Sequence, residues 1–524
     1  GPPPCKKAIP GTAMDDAHRP AIRYVVAGGG TAGWIAAAVL ARFLAPSSAT
    51  VTLVESEEIG IIGVGEATVP LIAQLNALLG IHEPDFVAAT NGTFKLGIEF
   101  VDWGSIGNRH FHGFGDFGED IAGLPVHQYW LRLNGSTAAP PLAPLDEWAM
   151  PWAAASRDRF APNAAMKGEA AQFRYAYHFD AALYAAYLRR VAESAGVTRI
   201  EGRIHAVGRD GESGLLTHLA LETGQKVEGD IFIDCTGFAS LLLGKTLGVP
   251  FKDWSYWLPC DSAAAVPSTR AGRLTPFTRS TAKSAGWQWR IPLQSRTGNG
   301  HVFASRFISD DEAVAQLLDG IDGEPLAAPR ILRFTPGHRE RFWEGNVIGI
   351  GLASGFLEPL ESTAIQLIQT GVARIVELLP DARPEPALIA EYNRQTTLEY
   401  ERIRDFILAH YCRTRRDEPL WREAASLELP ETLKHKLACW DASGRIPLYE
   451  LESHQEPSWA SILIGQEAWP KRYNPRAGVP PEEQLRTMLE QRRARLAEAA
   501  ERMPAHDHFI SRTCASDTAS AATA

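Results

Sequence analysis

Cysteine is scarce in this chain: six of the 524 residues are cysteines, and no two of them form a CxxC pair. Scattered cysteines in a protein of this size indicate free thiols in a reducing compartment, since a disulfide framework or a zinc site needs paired or clustered thiols. We therefore expect no metal site and a cytoplasmic location. The cysteines are Cys5, Cys235, Cys260, Cys412, Cys439 and Cys514.

The sequence also has no excess of positive charge and no long apolar run. Lysine and arginine total 52 against 62 acidic residues, which gives a net charge of −10. This balance argues against binding to nucleic acid or to anionic membranes. No apolar run reaches the ~18 residues that a membrane-spanning helix needs. Residues 1–20 lack the apolar core of a secretory signal, and we expect them to be disordered or added for expression.

A glycine-rich turn follows the first predicted strand. Residues 22–28 (IRYVVAG) are β-branched and apolar, as in a buried parallel strand, and the alanine- and leucine-rich segment 34–44 predicts a crossover helix. Between them the glycines are spaced GxGxxG, the pattern of a nucleotide-binding fold. The three glycines are Gly28, Gly30 and Gly33.

An acid ends the next predicted strand. Residues 50–55 (TVTLVE) end in Glu55. This acid lies about 20 residues after the last glycine, where a dinucleotide-binding fold places the carboxylate that hydrogen-bonds a ribose hydroxyl. A lone GxGxxG is weak support, but strand, helix and terminal acid occur here in the right order. The sequence therefore predicts a mononucleotide or dinucleotide site.

Six further motifs occur in an order that resembles one enzyme family. Together with the glycine turn they extend the resemblance from about residue 22 to about residue 410, most of the chain. By these motifs the chain resembles the flavin-dependent halogenases of the tryptophan halogenase type. The motifs are GVGEAT (63–68), Phe94-Lys95, HxFG (112–115), YHFD (177–180), WQWRIP (287–292) and EPLEST (358–363).

The resemblance implies an α/β fold, that of a flavoprotein with two dinucleotide-binding folds and an appended, mostly helical substrate module. Strands predicted over 230–238 and 343–350 would join the glycine turn in a flavin-binding module at 21–379, with substrate-binding segments interleaved. Helical patterns dominate the expected C-terminal substrate module at 380–510. The small, polar tail 511–524 is expected to be disordered.

By the same resemblance the enzyme uses FAD as FADH2, together with O2 and a halide ion. No second GxGxxG is visible for NAD(P)H, so we expect a separate flavin reductase to supply the reduced flavin. A homodimer is an expectation from the family. The residues implied to contact the flavin are Gly28, Gly30, Thr31, Ala32, Gly33, Glu55, Gly63, Gly65, Ile204, Leu352 and Ile365.

Lys95 is the lysine that the resemblance makes catalytic. In a strand predicted over 94–100 (FKLGIEF), apolar residues alternate with Lys95, Gly97 and Glu99, so the alternative is an exposed edge lysine paired with Glu99. By resemblance Lys95 lies in an aromatic-lined cavity, where it hydrogen-bonds hypohalous acid or becomes a haloamine. Burial would lower the pKa of Lys95 and so favour the second route.

Glu361 is the second catalytic residue by resemblance, placed where it would orient the oxidant or take the proton from the halogenated ring. It precedes a helix predicted over 362–379, which Ser362 or Thr363 can cap. The alternative is a first-turn acid that only stabilises the helix dipole. The backbone amides of Thr363 and Ala364, at the positive end of this helix, are expected to hold the halide.

Two indole rings one residue apart, those of Trp287 and Trp289, fall on one face of a predicted strand. They could be ordinary core residues. By resemblance they form a wall between the flavin and the substrate. Such a wall would prevent hydroxylation of the substrate and would let only a small oxidant such as hypohalous acid cross.

The substrate side is predicted from tryptophan-specific relatives. By resemblance His112 and Phe114 sandwich an indole ring, with Trp459 or Trp469 as C-terminal candidates that could equally belong to the core. The tyrosine pair and acidic segment that hold the amino-acid part of tryptophan in those relatives are not evident. We therefore expect indole or an indole-bearing compound as the substrate in preference to free tryptophan.

Three functions are compatible with these motifs. The first is a halogenase that uses chloride or bromide on an electron-rich aromatic compound. The second is a single-component, flavin-dependent aromatic monooxygenase, which the tryptophan wall disfavours. The third is a non-catalytic flavin-binding protein, which would need neither Lys95 nor Glu361.

Overall fold

Strands from most of the chain assemble into several sheets. A computed structural model of the chain describes residues 20–57, 65–381 and 383–517. The strands are β1 (Ile22–Ala27), β2 (Ala49–Glu55), β3 (Gly65–Ala67), β4 (Thr93–Lys95), β5 (Gly97–Val101), β6 (Arg109–Gly113), β7 (Ala176–Asp180), β8 (Thr198–Glu201), β9 (Ile204–Arg209), β10 (Leu216–Leu221), β11 (Lys226–Glu228), β12 (Ile231–Asp234), β13 (Phe251–Asp253), β14 (Ser262–Ser268), β15 (Thr278–Lys283), β16 (Gly286–Pro292), β17 (Thr297–Phe303), β18 (Arg330–Arg333), β19 (Gly337–Arg339), β20 (Trp343–Glu344), β21 (Val347–Gly349) and β22 (Gly355–Phe356).

Helices cover the first sheet and make up the C-terminal part of the chain. Among the described residues, no helix combines the length and the apolarity needed to cross a membrane. The α-helices are α1 (Thr31–Phe43), α2 (Ile72–Leu78), α3 (Glu83–Ala89), α4 (Val126–Asn134), α5 (Met150–Ala155), α6 (Ala181–Ser194), α7 (Asp310–Asp319), α8 (Ala364–Leu378), α9 (Pro386–Cys412), α10 (Pro419–Ser426), α11 (Glu431–Ser443), α12 (Glu456–Gly465), α13 (Glu482–Glu501) and α14 (His506–Thr513).

The glycine turn belongs to a six-stranded sheet with the order β20-β21-β12-β1-β2-β8. The strands from β21 to β8 run parallel, and β20 is antiparallel to β21. Helix α1 connects β1 to β2 and packs against α6 and α8, because its apolar residues from 33 to 40 are buried. The sheet thus joins three distant parts of the sequence, and the predicted α/β fold class is confirmed.

A seven-stranded sheet, ordered β18-β14-β17-β16-β15-β5-β6, carries the tryptophan pair on β16. A smaller sheet, ordered β3-β7-β4, carries Gly65 and Lys95 on its two outer strands. Strands β16 and β17 pack on β3. A Cβ atom on Gly65 would lie 3.3 Å from the side chain of Ile291 on β16. The hydroxyl of Thr93 on β4 donates a hydrogen bond of 2.6 Å to the carbonyl oxygen of Pro292 on β16, so the tryptophan strand also lies close to the strand that ends in Lys95.

The helical C-terminal part packs against the six-stranded sheet and the seven-stranded sheet. Helix α9 contacts α8, α10, α11 and α12, and α12 packs on β6. One large apolar cluster includes residues from α1, from β5 and β6 and from helices α9 to α13. Strand β6 therefore faces the helices, and His112, the predicted substrate residue on it, is buried.

The strand predicted over 94–100 is two strands. Strand β4 ends at Lys95 and pairs with β7, whereas β5 pairs with β6 and β15. Lys95 and Glu99 therefore belong to different sheets. Glu99 forms ion pairs with Arg109 and Arg279 instead, at 2.9 and 2.7 Å. The alternative of an exposed edge lysine paired with Glu99 is wrong, since Lys95 is 0% exposed.

Two other boundaries differ from the prediction. The single strand predicted over 343–350 is a hairpin of β20 and β21, which turns at Gly345 with a left-handed φ of 57°. Within the tail expected to be disordered, α14 extends to Thr513, and the amide of the buried Ser516 donates a hydrogen bond of 2.8 Å to Oε1 of Gln294. The described part of that tail is packed because its backbone finds a partner in the turn between β16 and β17.

Close backbone contacts require glycine at two positions of the turn. Gly28 has a left-handed φ of 109°, and a Cβ atom there would lie 2.2 Å from the carbonyl oxygen of Cys235 at the end of β12. A Cβ atom on Gly33 would lie 1.8 Å from the carbonyl oxygen of Gly28. Gly30 is different, because a Cβ atom there would meet no atom within 4 Å.

Substitution of Gly33 by alanine is therefore expected to destabilise the protein, and substitution of Gly30 is not. We expect Gly33→Ala to lower the free energy of unfolding by about 1–3 kcal/mol, because backbone cannot move away as a flexible side chain can. The matched control Gly30→Ala is expected to stay within about 0.5 kcal/mol of the original protein. Thermal unfolding of the flavin-free proteins measures the difference, and equal melting temperatures for the two variants would contradict the contact.

Candidate active site

A chamber of about 400 Å³ opens beside the N-terminal end of α1. Its walls are mainly glycine and apolar side chains, as a flat aromatic ring system requires. We call it the glycine-turn chamber. Of the predicted site residues, those that line it are Gly30, Thr31, Ala32, Gly65, Trp287, Trp289, Leu352, Ala364 and Ile365.

The glycine-turn chamber fits a flavin nucleotide. The space left open beside Gly30 allows a ligand to approach the backbone at the start of α1, where N–H groups and the helix dipole favour phosphate. Glu55 ends β2 with its Oε2 atom 1.5 Å from the position that a Cβ atom on Gly29 would take, so its carboxylate lies directly on the turn. Arg199 holds that carboxylate with an Nε–Oε1 hydrogen bond of 2.5 Å.

A second chamber, of about 860 Å³, lies on the other side of the segment 358–364. Three predicted site residues line it: His112 and Phe114, from β6 and the residue that follows it, and Glu361. His454 and the ion pair Arg374–Glu399 also line it. We call it the histidine chamber. Its volume is near the upper end of the range for small-molecule sites.

The turn at residues 359–364 separates the two chambers, and we call it the partition turn. Glu361 lines the histidine chamber, whereas Ser362 and Ala364 line the glycine-turn chamber. Ser362 has a left-handed φ of 59°, which costs a residue with a side chain about 1 kcal/mol. This conformation directs two consecutive side chains, those of Glu361 and Ser362, to opposite sides.

Lys95 contacts the partition turn through its amine. Its Nζ atom donates hydrogen bonds to Oγ of Ser362, at 2.8 Å, and to the carbonyl oxygen of Thr68, at 2.9 Å. The same atom lies 5.2 Å from the ring centroid of Phe114. Lys95 therefore touches one residue of each chamber, which places its amine between them.

Burial lowers the pKa of Lys95 to about 7, against the opposing effect of the negative charges of Glu361 and Glu66. Glu66 lines the glycine-turn chamber, and burial raises its pKa to about 7 as well. Both groups thus change charge near neutral pH. The nitrogen of Lys95 is a neutral amine above this pH and an ammonium below it.

Glu361 is buried among three histidines. His112 Nδ1 donates to Oε2 at 2.9 Å, because a carboxylate only accepts. His410 Nε2 lies 2.9 Å from Oε1, and His454 Nε2 lies 4.0 Å from Oε2. Burial alone would raise the pKa of Glu361, but His112 and His410 outweigh it and hold the pKa well below its usual range. The carboxylate therefore stays ionised.

The predicted helix start differs in detail from the structure. Helix α8 begins at Ala364, and Thr363 is its N-cap residue without a hydrogen bond from its side chain. The hydroxyl of Ser362 instead accepts from Lys95. Ala364 lines the glycine-turn chamber, so the first turn of α8 faces the predicted flavin side. Neither hydroxyl acts as the side-chain cap that the sequence suggested.

The tryptophan pair faces the glycine-turn chamber, and its rings lie 6.2 Å apart. Trp287 is 1% exposed, and its ring lies 6.4 Å from that of Trp103. The Trp103 ring in turn lies 5.9 Å from His410, which contacts Glu361. Indole rings therefore lie between the glycine-turn chamber and the histidines around Glu361.

The structure places Ile204, Trp459 and Trp469 outside the linings of both chambers. Trp459 is 0% exposed and packs edge-on against Phe406, at 4.9 Å, so it lies behind the wall of the histidine chamber and not on it. Ile204 begins β9 and packs on the apolar cluster of β10 and β12, outside the lining of the glycine-turn chamber. Gly63 lies outside the described residues. Trp469 is 50% exposed and stacks on Trp130.

The sequence motifs did not include several residues of the site. His410 lies in the last turn of the long helix α9, and His454 lies in the loop before α12. Glu66 and Ser362 lie inside motifs that resembled the family, but the pattern indicated no role for Glu66 and only a helix cap for Ser362. Only the contacts with Glu361 and Lys95 identify these four side chains.

Comparison with known proteins gives a consistent result. The family model described as "Tryptophan halogenase" matches residues 23–482. The curated tryptophan 7-halogenase RebH of Lentzea aerocolonigenes is 35% identical over 444 residues, which cover 80% of this chain and 82% of the relative.

Two solved structures are similar over nearly their whole length. The flavin-dependent halogenase Xcc4156 from Xanthomonas campestris has a TM-score of 0.91 and 44% identity, and the match covers 95% of this chain and 99% of that one. The flavin-dependent halogenase BrvH from Brevundimonas sp. BAL3 has a TM-score of 0.90 and 42% identity, with 94% and 99% covered.

The position of Lys95 predicts its titration. We expect its amine to titrate near pH 7, well below the ordinary 10.5, because burial disfavours the ammonium. Glu361→Gln should lower the pKa of Lys95 further, since the anionic carboxylate stabilises the ammonium. Nuclear magnetic resonance of isotope-labelled lysine measures this, with Lys95→Met to assign the signal and the exposed lysines as internal controls. A Lys95 signal that titrates together with the exposed lysines would contradict the burial argument.

Proposed function

Because the chain belongs to the tryptophan halogenase family of flavin-dependent halogenases, we propose that it uses FADH2, O2 and chloride or bromide to halogenate an electron-rich aromatic compound, indole or an indole derivative. Membership of this family makes the protein an FADH2-dependent oxidoreductase. Bound FADH2 would react with O2 and halide to supply hypohalous acid. The observation that carries the proposal is the position of Lys95, buried at the partition turn between two chambers.

Lys95 is proposed to receive the oxidant from the glycine-turn chamber and to present it to the histidine chamber. Its hydrogen bond to Ser362 reaches toward the first chamber, and its contact with Phe114 reaches toward the second. With a pKa near 7, the nitrogen can hydrogen-bond hypohalous acid as an ammonium or accept the halogen as a free amine. In the first route the O–halogen bond stays intact beside Nζ, and in the second an N–halogen bond replaces it as the amine proton and the hydroxyl leave as water.

Glu361 is proposed to act on the aromatic ring. It lines the chamber in which the substrate would lie, and two histidines keep it ionised. A fixed carboxylate stabilises the positive charge that develops when a ring carbon bonds the halogen. It also lies where it can take the ring proton, although a pKa below the usual range makes it a weak base. Because of the low pKa, electrostatic stabilisation is proposed to be the larger contribution of Glu361 to the reaction.

The halide is proposed to bind at the start of α8. Thr363 is the N-cap residue and Ala364 the first helical residue, and Ala364 lines the glycine-turn chamber. Backbone N–H groups and the helix dipole favour an anion at this end. A halide there would lie on the same side of the partition turn as the flavin.

The tryptophan pair is proposed to keep the flavin and the substrate apart. Trp287 and Trp289 line the glycine-turn chamber, and Trp103 and His410 fill the space behind them. An aromatic substrate in the histidine chamber then cannot stack on the flavin, so direct hydroxylation is avoided. A separate NAD(P)H-dependent flavin reductase is proposed to supply the reduced flavin, and a homodimer is the proposed assembly.

Removal of the Lys95 amine is expected to stop halogen incorporation without stopping flavin reoxidation. We expect Lys95→Met to reduce halogen incorporation by about 100-fold or more, while reoxidation of reduced flavin continues, because the lysine is not needed on the flavin side. Purified protein is supplied with FAD, a flavin reductase, NADH, bromide or chloride, and a panel of indoles and phenols, and mass spectrometry detects the halogenated product.

Lys283→Met is the matched control, because Lys283 is the last residue of β15 and lines neither chamber. It should halogenate as the original protein does. Normal halogenation by Lys95→Met would refute the role of Lys95. A hydroxylated product formed without halide would instead show an aromatic monooxygenase.

A further inference from the structure

His454 is a buried polar side chain that lacks a partner. It is 7% exposed and lines the histidine chamber, yet neither ring nitrogen makes a hydrogen bond to any residue in the described ranges. Its Nε2 atom is 4.0 Å from Oε2 of Glu361, which is too far for a hydrogen bond. Buried polar groups in folded proteins are almost always paired. Because His454 lines the chamber, water or a ligand there can supply the partner that the protein does not.

The imidazole of His454 is held in one orientation. It stacks on the ring of Phe406 at 3.8 Å, with 13° between the planes, and Trp459 packs edge-on against Phe406 at 4.9 Å. The ring of His112 lies 6.1 Å from the imidazole of His454 and is tilted by 52°. The stack fixes the plane of the imidazole, and its Nε2 atom lies on the side of Glu361, 4.0 Å from Oε2.

The loop that carries His454 is pinned by contacts of its own. Glu452 forms a buried ion pair with Lys436, with an Nζ–Oε2 distance of 2.8 Å and side chains 2% and 3% exposed. The same carboxylate oxygen accepts from the amide of Tyr449 at 3.2 Å. Leu451, which lines the chamber, has a left-handed φ of 59°. Strained backbone of this kind persists where surrounding contacts over-determine it, and it concentrates at binding sites.

The charge state of His454 sets what it can bind. Burial lowers the pKa of its imidazole to about 3, against the opposing effect of Glu361. The ring is therefore neutral near pH 7, with one nitrogen as a donor and the other as an acceptor. Glu361 already has His112 and His410 at 2.9 Å, so it does not need a third histidine. The acceptor nitrogen of His454 remains available to a ligand.

We propose that His454 determines substrate specificity by accepting a hydrogen bond from the ring N–H or phenolic O–H of the aromatic substrate, so that the preferred substrates are indoles and phenols in which this group is free. The inference rests on the proposed function for the histidine chamber as the substrate site. These donors are the groups that enrich an aromatic ring in electrons. Holding one of them beside Glu361 fixes which ring carbons face Lys95.

The test compares indole with benzofuran, which has the same shape but no N–H group. Isothermal titration calorimetry on the protein without flavin or halide gives both dissociation constants. We expect the original protein to bind indole about tenfold more tightly, as one hydrogen bond to a buried acceptor predicts. His454→Phe should abolish the preference, and His454→Asn, which keeps an acceptor, should restore part of it. His205→Phe, an exposed control on β9, should leave it unchanged.

A measurement on the unmutated protein covers the case in which a variant fails to fold. Labelled imidazole nitrogens of His454 should change chemical shift on binding indole and much less on binding benzofuran. Equal affinities for the two ligands, an unchanged preference in a folded His454→Phe variant, or equal chemical shifts would overturn the inference. Halogenation without any preference would refute this inference alone, whereas a clear preference without halogenation would refute the proposed function alone.

Discussion

The hydrogen bond between Nζ of Lys95 and Oγ of Ser362 is the contact on which the site depends. It is 2.8 Å long, it is buried, and it joins the end of β4 to a turn more than half the chain away. Ser362 can meet the lysine because its left-handed backbone turns its side chain away from that of Glu361. The same bend therefore places a carboxylate in one chamber and a lysine contact at the other. Without it, the Lys95 amine would have no contact with the turn that separates the two chambers.

Two buried acids, one in the partition turn and one just before it, have pKa values shifted in opposite directions. Glu358 and Glu361 are close in sequence and both about 1% exposed, but their surroundings differ. Burial raises the pKa of Glu358 to about 7, against the hydrogen bond of 2.7 Å that it accepts from Tyr411. The histidines around Glu361 reverse that effect. One acid can thus carry a proton near neutral pH while its neighbour remains a carboxylate, because local partners and not residue type decide the ionisation.

Much of this could be predicted from the sequence. The glycine turn, the tryptophan pair and the short motifs at Lys95 and Glu361 predicted the family, and that prediction is confirmed by a match over residues 23–482. Local patterns also predicted β1, α1 and β2 nearly to their ends. These features are local, since a GxGxxG turn or an alternating strand depends on residues close together in the chain.

Other features could not be predicted in this way. The division of the segment 94–100 between β4 and β5 follows from pairing with β7, β6 and β15, and no local pattern records those partners. His454 comes within 4.0 Å of Glu361 because the loop before α12 packs against Phe406 on α9. Trp459 lies behind Phe406 because α12 packs on α9.

The sequence by itself determined which residues carry reactive groups and which fold can bring them together. Only the tertiary structure decided which of those groups are buried from solvent, which face each chamber and which lack a hydrogen-bond partner. The physical reason is that burial and pairing depend on neighbours from distant segments. Lys95 is a weak base and His454 an open acceptor because of the residues that surround them. Those residues come from distant segments, so the order of residues along the chain does not reveal them.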